Sequence, residues 1–191
     1  MQFRKYLLLC CFSAVLISCW KIRDRNGDFP PPLPNQPPTK VWGYKPVYGT
    51  ETEAKNILYT AGAKPVISGG NIYAYQQYIF QMEPGLGIHV IDNSNPSIAE
   101  RIGFINVKGC SQISVKDGKL FTNSYDDLVV LGFSALNTIK EESRLAGVFK
   151  EYRYGSPIAQ PPSSGYYECP SYNKFVTGWV KDSVYQYCYK N

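Results

Sequence analysis

Short segments rich in Val, Ile, Tyr and Phe recur along most of the chain after residue 40, and turn-forming residues separate them. Each segment is five to eight residues long, and most are bounded by Gly, Pro, Asn, Asp or Ser, which is typical of β-strands. Helical character is confined to Glu51–Tyr59 and Thr138–Ser143. The sequence therefore predicts an all-β fold, with strands at Val41–Tyr48, Asn71–Tyr75, Tyr78–Met82, Ile88–Asp92, Arg101–Val107, Gln112–Lys116, Lys119–Asn123, Asp127–Leu131 and Arg144–Lys150.

Turn signals between these segments indicate how the strands connect. Asp117-Gly118 is a two-residue hairpin signal of type I′, which favours an antiparallel pair. Pro84–Gly87 is glycine-rich, but no helix follows that could bind phosphate, so it predicts a turn between strands. The uninterrupted apolar run Leu128–Leu131 indicates a strand covered on both faces.

A pattern of strand, loop, buried strand, Asn-containing turn and strand occurs twice, about forty residues apart. Tyr78–Phe80 and Gly87–Asp92 in the first unit correspond to Lys119–Phe121 and Asp127–Gly132 in the second. A period of this length with several strands per unit is typical of a β-propeller blade. Two β-meanders that resemble each other by chance are the alternative.

Ile88–Pro96 and Asp126–Phe133 resemble the repeats of LVIVD-repeat bacterial proteins, which are often lipoproteins with propeller-like folds and no settled molecular activity. The resemblance covers roughly residues 41–180. It implies a partial β-propeller-like domain of about two blades built from antiparallel meanders. The second unit departs from the family, because Leu131–Phe133 stands where an acidic residue usually follows the apolar run. Two blades do not close a ring, so the expectation is an open partial propeller, a packed meander or a fragment of a longer ancestor.

The first nineteen residues have the pattern of a secretory signal. Arg4 and Lys5 precede the apolar run Leu7–Ile17, which is too short to cross a bilayer. Leu16–Cys19 resembles the lipobox of bacterial lipoproteins, and the resemblance implies cleavage after residue 18 and lipidation of Cys19. Because Trp20 rather than Asp follows the cysteine, it also implies an outer-membrane location. An ordinary signal peptide or a poor transmembrane helix is the alternative.

Six prolines within residues 30–38 exclude helix and sheet interior from the segment after the leader. We expect polyproline II there, in a lipid-anchored spacer over residues 19–40 that holds the β-repeat domain, residues 41–191, away from the membrane. A proline-rich ligand for a recognition domain is the alternative.

No residue pattern in the chain points strongly to catalysis or to a metal. His89 is the only histidine, and without a cluster of ligands we expect it to be a packed or partly exposed strand residue. The oxygens of Asp92–Pro96 favour an Asx turn over a calcium loop. Asp126 and Asp127 are adjacent, so strand alternation predicts opposite faces rather than an acid–base pair. The sequence predicts a non-enzymatic protein with no cofactor and no metal.

Tyrosines are concentrated in the last forty residues, and exposed phenol rings suit contacts with glycans or proteins. We take Tyr166, Tyr167 and Tyr172 as candidate ligand-binding residues. Packing in half-buried strands is the alternative use of these rings, and a period of two would place Tyr185, Tyr187 and Tyr189 on one strand face.

Three cysteines remain after the predicted anchor, and an exported protein meets oxidising conditions. We expect a disulfide between Cys169 and Cys188, because both belong to a C-terminal hairpin tail predicted to turn at Lys181–Ser183. Cys110 is then a small buried residue.

These observations predict a membrane-anchored lipoprotein whose β-domain binds an envelope protein or glycan. The formal charge of +5 is too small and too scattered for nucleic-acid binding. An envelope glycan hydrolase and a degenerate remnant of a longer repeat protein are the alternatives. The hydrolase requires two carboxylates that converge in one cleft.

Overall fold

The computed structural model describes residues 39–133, 139–185 and 188–190. Cys19, the predicted signal peptide and the spacer up to residue 38 lie outside the described residues. Strands dominate the described part, and the helices are short, so the all-β prediction is confirmed. The elements are β1 (Lys40–Gly49), α1 (Glu51–Lys55), β2 (Leu58–Ala61), β3 (Ile72–Tyr75), β4 (Tyr78–Glu83), β5 (Gly87–Asp92), β6 (Glu100–Asn106), β7 (Ile113–Lys116), β8 (Lys119–Ser124), β9 (Asp127–Gly132), β10 (Lys140–Leu145), α2 (Tyr152–Gly155), β11 (Gly165–Tyr167), β12 (Phe175–Tyr185) and β13 (Cys188–Lys190).

Two antiparallel sheets contain the segments that look alike in the sequence. The first sheet has the strand order β2-β6-β5-β4-β3, and the second has the order β10-β9-β8-β7. Corresponding strands of the two sheets begin 40 or 41 residues apart. Asp117 and Gly118 both have positive φ in the turn that joins β7 to β8, as the hairpin signal predicts. No closed barrel is formed among the described residues, which is consistent with a partial propeller-like domain.

The main core lies between these two sheets. Strand alternation places Phe80 and Met82 of β4, in the first sheet, among the buried residues of one continuous apolar cluster. Val129 and Leu131 of β9, in the second sheet, belong to the same cluster. Phe80 also contacts Phe133, with ring centroids 5.1 Å apart. Burial of each large apolar side chain contributes roughly 1.5–3 kcal/mol, so this cluster is the main source of stability.

A third, terminal sheet has the order β12-β1-β11-β13 and brings the start and the end of the described chain together. β1 and β12 are antiparallel along their length, from the pair Lys40–Tyr185 to the pair Gly49–Phe175. β11 runs parallel to β1, and β13 is antiparallel to β11. Thr50 and Glu53 form a capping box that starts α1 directly after β1.

The structure corrects three local predictions. Helix was predicted up to Tyr59, but α1 ends at Lys55 and β2 follows it. Helix was predicted at Thr138–Ser143 and a strand at Arg144–Lys150, but the strand there is β10. The reason is that β9 has an open edge, and β10 pairs with it although its sequence is polar.

The C-terminal hairpin prediction was also wrong in its turn and its pairing. Lys181–Ser183 lies inside β12, which continues to Tyr185, because β1 offers ten consecutive partners there. β13 then pairs with β11 instead of β12. Tyr185 and Tyr189 therefore belong to different strands, and Tyr187 lies outside the described residues.

None of the helices in the described ranges has the length and apolarity needed to cross a bilayer.

Candidate functional site

A cavity of about 710 Å³ lies where the terminal sheet meets the first repeat sheet. One wall comes from the end of β4 and the turn after it, and another from Trp179 of β12 and Lys190 of β13. The third wall is the loop of residues 156–162, which contains Pro157, Pro161 and Pro162. This volume lies within the range of pockets that hold small molecules or short segments of larger ligands.

Two side chains of the terminal sheet fix the proline-rich wall. The indole Nε1 of Trp179 donates a hydrogen bond to the carbonyl oxygen of Ile158 at 2.8 Å. The ammonium of Lys190 donates to the carbonyl oxygen of Pro161 at 2.6 Å. Ile158 itself is buried in a second apolar cluster with Ala54, Tyr125 and Phe175, which also anchors this wall.

The β4–β5 turn reaches the same wall through a glycine. Gly85 has φ of +79°, and a Cβ at this position would come within 2.6 Å of the backbone nitrogen of Ile158. Only glycine fits both the conformation and the close approach. The turn predicted at Pro84–Gly87 is thus confirmed, and its packing completes the cavity on that side.

Glu83, at the end of β4, has a buried carboxylate, and both of its oxygens are hydrogen-bonded to other groups of the protein. One oxygen accepts hydrogen bonds from the amides of Ile67 and Ser68, both at 2.7 Å. The other oxygen lies 2.6 Å from Nε2 of His89, whose ring is fully buried. Burial by itself would raise the pKa of Glu83, but the hydrogen bonds from His89, Ser68 and Ile67 outweigh it and hold the pKa below its usual value. His89 is therefore packed in its strand, one of the two states expected from the sequence, and Nε2 donates to the ionised carboxylate.

The remaining polar groups of the cavity suit ligand binding better than bond cleavage. Lys190 contributes an ammonium, and Gln160, Ser111 and Tyr152 are further polar residues of the lining. Ser156 also lines it, and its hydroxyl oxygen is buried with no hydrogen-bond partner among the described residues. Within the described lining, Glu83 is the one carboxylate, and its oxygens are already hydrogen-bonded. An apolar pocket with a few polar groups is typical of a binding site.

A buried group of charges lies apart from the cavity, around Lys55 of α1. Its ammonium is 2.8 Å from Glu51, 2.8 Å from Asp126 and 2.9 Å from Asp127. The prediction that the two aspartates point apart was wrong. The reason is that Tyr125 has positive φ and residues 125–126 form a turn, so strand alternation does not extend to Asp126.

Arginines complete this charged group. Arg144 of β10 contacts Asp127 at 2.9 Å, and Arg153 of α2 contacts Asp126 at 2.8 Å. Burial by itself would raise the pKa values of both aspartates, but their ion pairs with Lys55 and the hydrogen bonds from Arg153 to Asp126 and from Arg144 to Asp127 lower them. Both carboxylates are ionised and paired, so this group joins α1, α2, β9 and β10 and has no free acid or base.

The three tyrosines predicted to bind a ligand do not come together in one place. Tyr166 and Tyr167 are neighbours on β11 and point to opposite faces, where Tyr166 packs on Tyr189 and Tyr167 packs on Trp179. Tyr172 is 91% exposed in a loop, near Tyr154. Of the three tyrosines, Tyr167 contacts a residue of the cavity lining, because its ring packs edge-to-face on Trp179 with ring centroids 5.6 Å apart. Ligand contact by these residues stays a prediction.

The cysteines are arranged as the sequence suggests. Cys169 and Cys188 are joined by a disulfide with a Cα–Cα distance of 5.4 Å. Cys110 is fully buried in the main core.

The Asx turn expected after β5 is also present, since Asp92 accepts a hydrogen bond from the amide of Ser94 at 2.8 Å. No cluster of three metal-ligating side chains occurs among the residues the structure describes.

Sequence reasoning missed the cavity residues Glu83, Trp179 and the 156–162 loop. Glu83 ends an apolar strand, and Pro157, Pro161 and Pro162 stand close together, so both features were visible as local signals. Neither signal gives the pairing of β1 with β12, which brings Trp179 to the loop.

Comparison of the chain with family models, curated proteins and solved structures gives no match. The resemblance to LVIVD-repeat proteins therefore stays an expectation from the sequence.

Proposed function

We propose that this protein is a non-enzymatic lipoprotein, anchored to the outer membrane through Cys19, whose β-domain binds a segment of an envelope protein or glycan. The cavity beside Trp179 is the observation that carries the proposal. Its walls supply the aromatic rings of Trp179 and Tyr152, several prolines and the ammonium of Lys190, which suit a partly apolar ligand that has a hydrogen-bond acceptor.

The cavity favours binding over the hydrolase alternative. Glycoside hydrolysis normally uses two carboxylates on either side of the scissile bond. Glu83 has its oxygens occupied by two amides and His89, and Asp126 and Asp127 are paired with Lys55 in a different part of the fold. The continuous core between the repeat sheets favours a stable folded domain over a degenerate remnant.

The membrane part of the proposal rests on the leader and is tested separately from binding. Growth with radiolabelled palmitate should label the wild-type chain and leave a Cys19→Ala variant unlabelled. Label that is absent from the wild type, or present equally in both chains, would contradict the anchor.

A matched pair of cavity variants tests the binding site. Ala159 lies in the cavity wall, whereas Ala61 is exposed on β2 away from it. The purified chain is screened against arrays of envelope glycan fragments and of peptides, and each hit is titrated with wild type, Ala159→Trp and Ala61→Trp. Filling the cavity should weaken binding at least about tenfold, and Ala61→Trp should leave it unchanged. Equal affinity for all three chains, or no hit together with release of product from a glycan, would overturn the proposal.

A further inference from the structure

One face of the terminal sheet is exposed at the end where the described chain begins. Antiparallel pairing joins Lys40 to Tyr185, Trp42 to Ser183 and Tyr44 to Lys181, and paired residues of two strands point to the same side. We call these six residues the entry face.

The entry face combines aromatic rings with lysines. Trp42 lies at the centre of the entry face, and it is 70% exposed. The ammonium of Lys40 lies 5.2 Å from the ring centroid of Tyr185, and that of Lys181 lies 5.7 Å from the ring centroid of Tyr44. The six residues include three aromatic rings and two lysines but no acid.

The nearest carboxylate in the two strands belongs to the other side of the sheet. Asp182 pairs with Gly43, one position out of step with the entry face, so its side chain points to the opposite face. The entry face therefore presents positive charge around an exposed indole, a combination that suits the headgroup region of a membrane.

The place of this face in the chain also points to a membrane. Lys40 begins β1, and only residues 20–39 separate it from the predicted lipid anchor at Cys19. A segment of this length in polyproline II spans up to roughly 60 Å. Such a tether keeps the domain near the bilayer and raises its effective concentration there, but it leaves the orientation open. A weak contact is then enough to select one face.

We propose that the entry face rests on the headgroup region of a bilayer that contains anionic lipid. The indole of Trp42 lies at the interface, and the ammonium groups of Lys40 and Lys181 lie at lipid phosphates. This inference rests on the lipid anchor of the proposed function, and it goes beyond the cavity because it concerns other residues of the terminal sheet and a lipid partner.

Quenching by brominated lipids in proteoliposomes of the lipidated chain tests the proposal. A Trp20→Phe background removes the tryptophan next to the anchor and leaves Trp42 and Trp179, which lie on the same sheet. Brominated acyl chains should quench the emission of this chain. Adding Trp42→Phe should abolish most of the quenching, and the matched change Trp179→Phe should preserve it.

The lysines are tested in the same background. The double variant Lys40→Gln with Lys181→Gln should weaken quenching in bilayers that contain phosphatidylglycerol. Loss of each lysine should lower the affinity of the entry face for these bilayers by about fivefold. In pure phosphatidylcholine the double variant should have little effect on quenching. Trp42 is largely exposed, so its replacement should leave the melting temperature unchanged, which excludes unfolding as the cause.

Three results would overturn the proposal. They are quenching that does not depend on Trp42, quenching with the same strength after loss of both lysines in anionic bilayers, and Trp42-dependent binding of an anionic polysaccharide without quenching. The last result would assign the face to a glycan. Ala159→Phe, which fills the cavity without adding an indole, should leave the quenching intact, so failure of the cavity proposal and failure of this one are distinguishable.

Discussion

The carboxylate of Glu83 lies 2.6 Å from Nε2 of His89, and both side chains are buried. The second oxygen of the same carboxylate binds the amides of Ile67 and Ser68. Glu83 thus joins β5 to the segment between β2 and β3, at the edge of the cavity. A single ionised side chain satisfies three donors from two parts of the chain.

We expect Glu83→Gln to lower the free energy of unfolding by about 1–3 kcal/mol. The glutamine oxygen still accepts from the two amides, but its NH₂ group faces Nε2 of His89. The imidazole must then move its proton to Nδ1, which is buried and has no partner among the described residues. Urea unfolding at neutral pH measures the change.

Hydrogen exchange provides a local measure of the same contact, since the amides of Ile67 and Ser68 should exchange faster in Glu83→Gln. Glu100→Gln is the matched control, because Glu100 is exposed on β6 of the same sheet, and its change should stay within about 0.5 kcal/mol. Equal stability of the two variants would contradict the role given to Glu83.

Lys55→Met should destabilise the protein by about 3 kcal/mol. The substitution keeps the length of the side chain but leaves Asp126 and Asp127 without their shared cation, while Arg144 and Arg153 still hold one aspartate each. Thermal and urea unfolding measure the loss.

Lys119→Met is the control for Lys55→Met. Lys119 pairs with Glu142 at 3.1 Å, but both side chains are substantially exposed, so the pair contributes less than about 1 kcal/mol. A loss at Lys55 no larger than the loss at Lys119 would show that the charged group does not stabilise the fold.

The protein should lose stability as the pH falls below about 4.5. The pKa values of Glu83, Asp126 and Asp127 are lower in the folded protein than their ordinary values of 4.5 for Glu and 3.8 for Asp. Their contribution is therefore complete above those ordinary values and is lost as the pH falls through the lowered folded values. Urea midpoints between pH 7 and pH 2 measure this dependence.

A double variant, Asp126→Asn with Asp127→Asn, should have a shallower acid slope than the wild type, although it is less stable at neutral pH. An identical slope in both chains would place the acid sensitivity elsewhere.

Loss of the disulfide between Cys169 and Cys188 should cost about 3 kcal/mol, because it closes a loop with a sequence separation of 19 residues. Replacing both cysteines by serine, and adding a reductant to the wild type, should give the same shift in unfolding. A reductant that also destabilised the double serine variant would point to a different bridge.

Cys110 should not react with a maleimide until the protein unfolds. Its side chain is fully buried, and burial raises the pKa of the thiol to about 12. In the processed chain, which lacks Cys10 and Cys11 and carries lipid on Cys19, mass spectrometry after labelling in buffer and in denaturant should show one added label in denaturant alone. Rapid labelling of the native chain would contradict the buried position.

Local physics accounts for what the sequence predicted well. The strands from β3 to β9 follow from short runs of β-branched and aromatic residues between turn residues, and the Asp117-Gly118 turn follows from the positive φ that both positions require. These signals depend only on near neighbours in the chain.

Strand pairing and contacts between different elements account for what the sequence did not predict. β10 contains Lys, two Glu and Arg, which favour helix locally, yet it is an edge strand because β9 supplies the hydrogen bonds. Asp126 and Asp127 converge on Lys55, about seventy residues earlier, because a turn and a neighbouring helix meet there.

The sequence by itself determined the strands from β3 to β9, the turn at Asp117-Gly118 and the buried position of Cys110, because residue type and alternation decide these locally. Only the tertiary structure decided that β1 pairs with β12, that Trp179 meets the loop of residues 156–162, and that Trp42 and two lysines share one exposed face. These features join residues of different elements, 21 positions apart for Trp179 and Ile158 and 145 for Lys40 and Tyr185, and the free energy that selects them comes from packing and hydrogen bonding between whole elements.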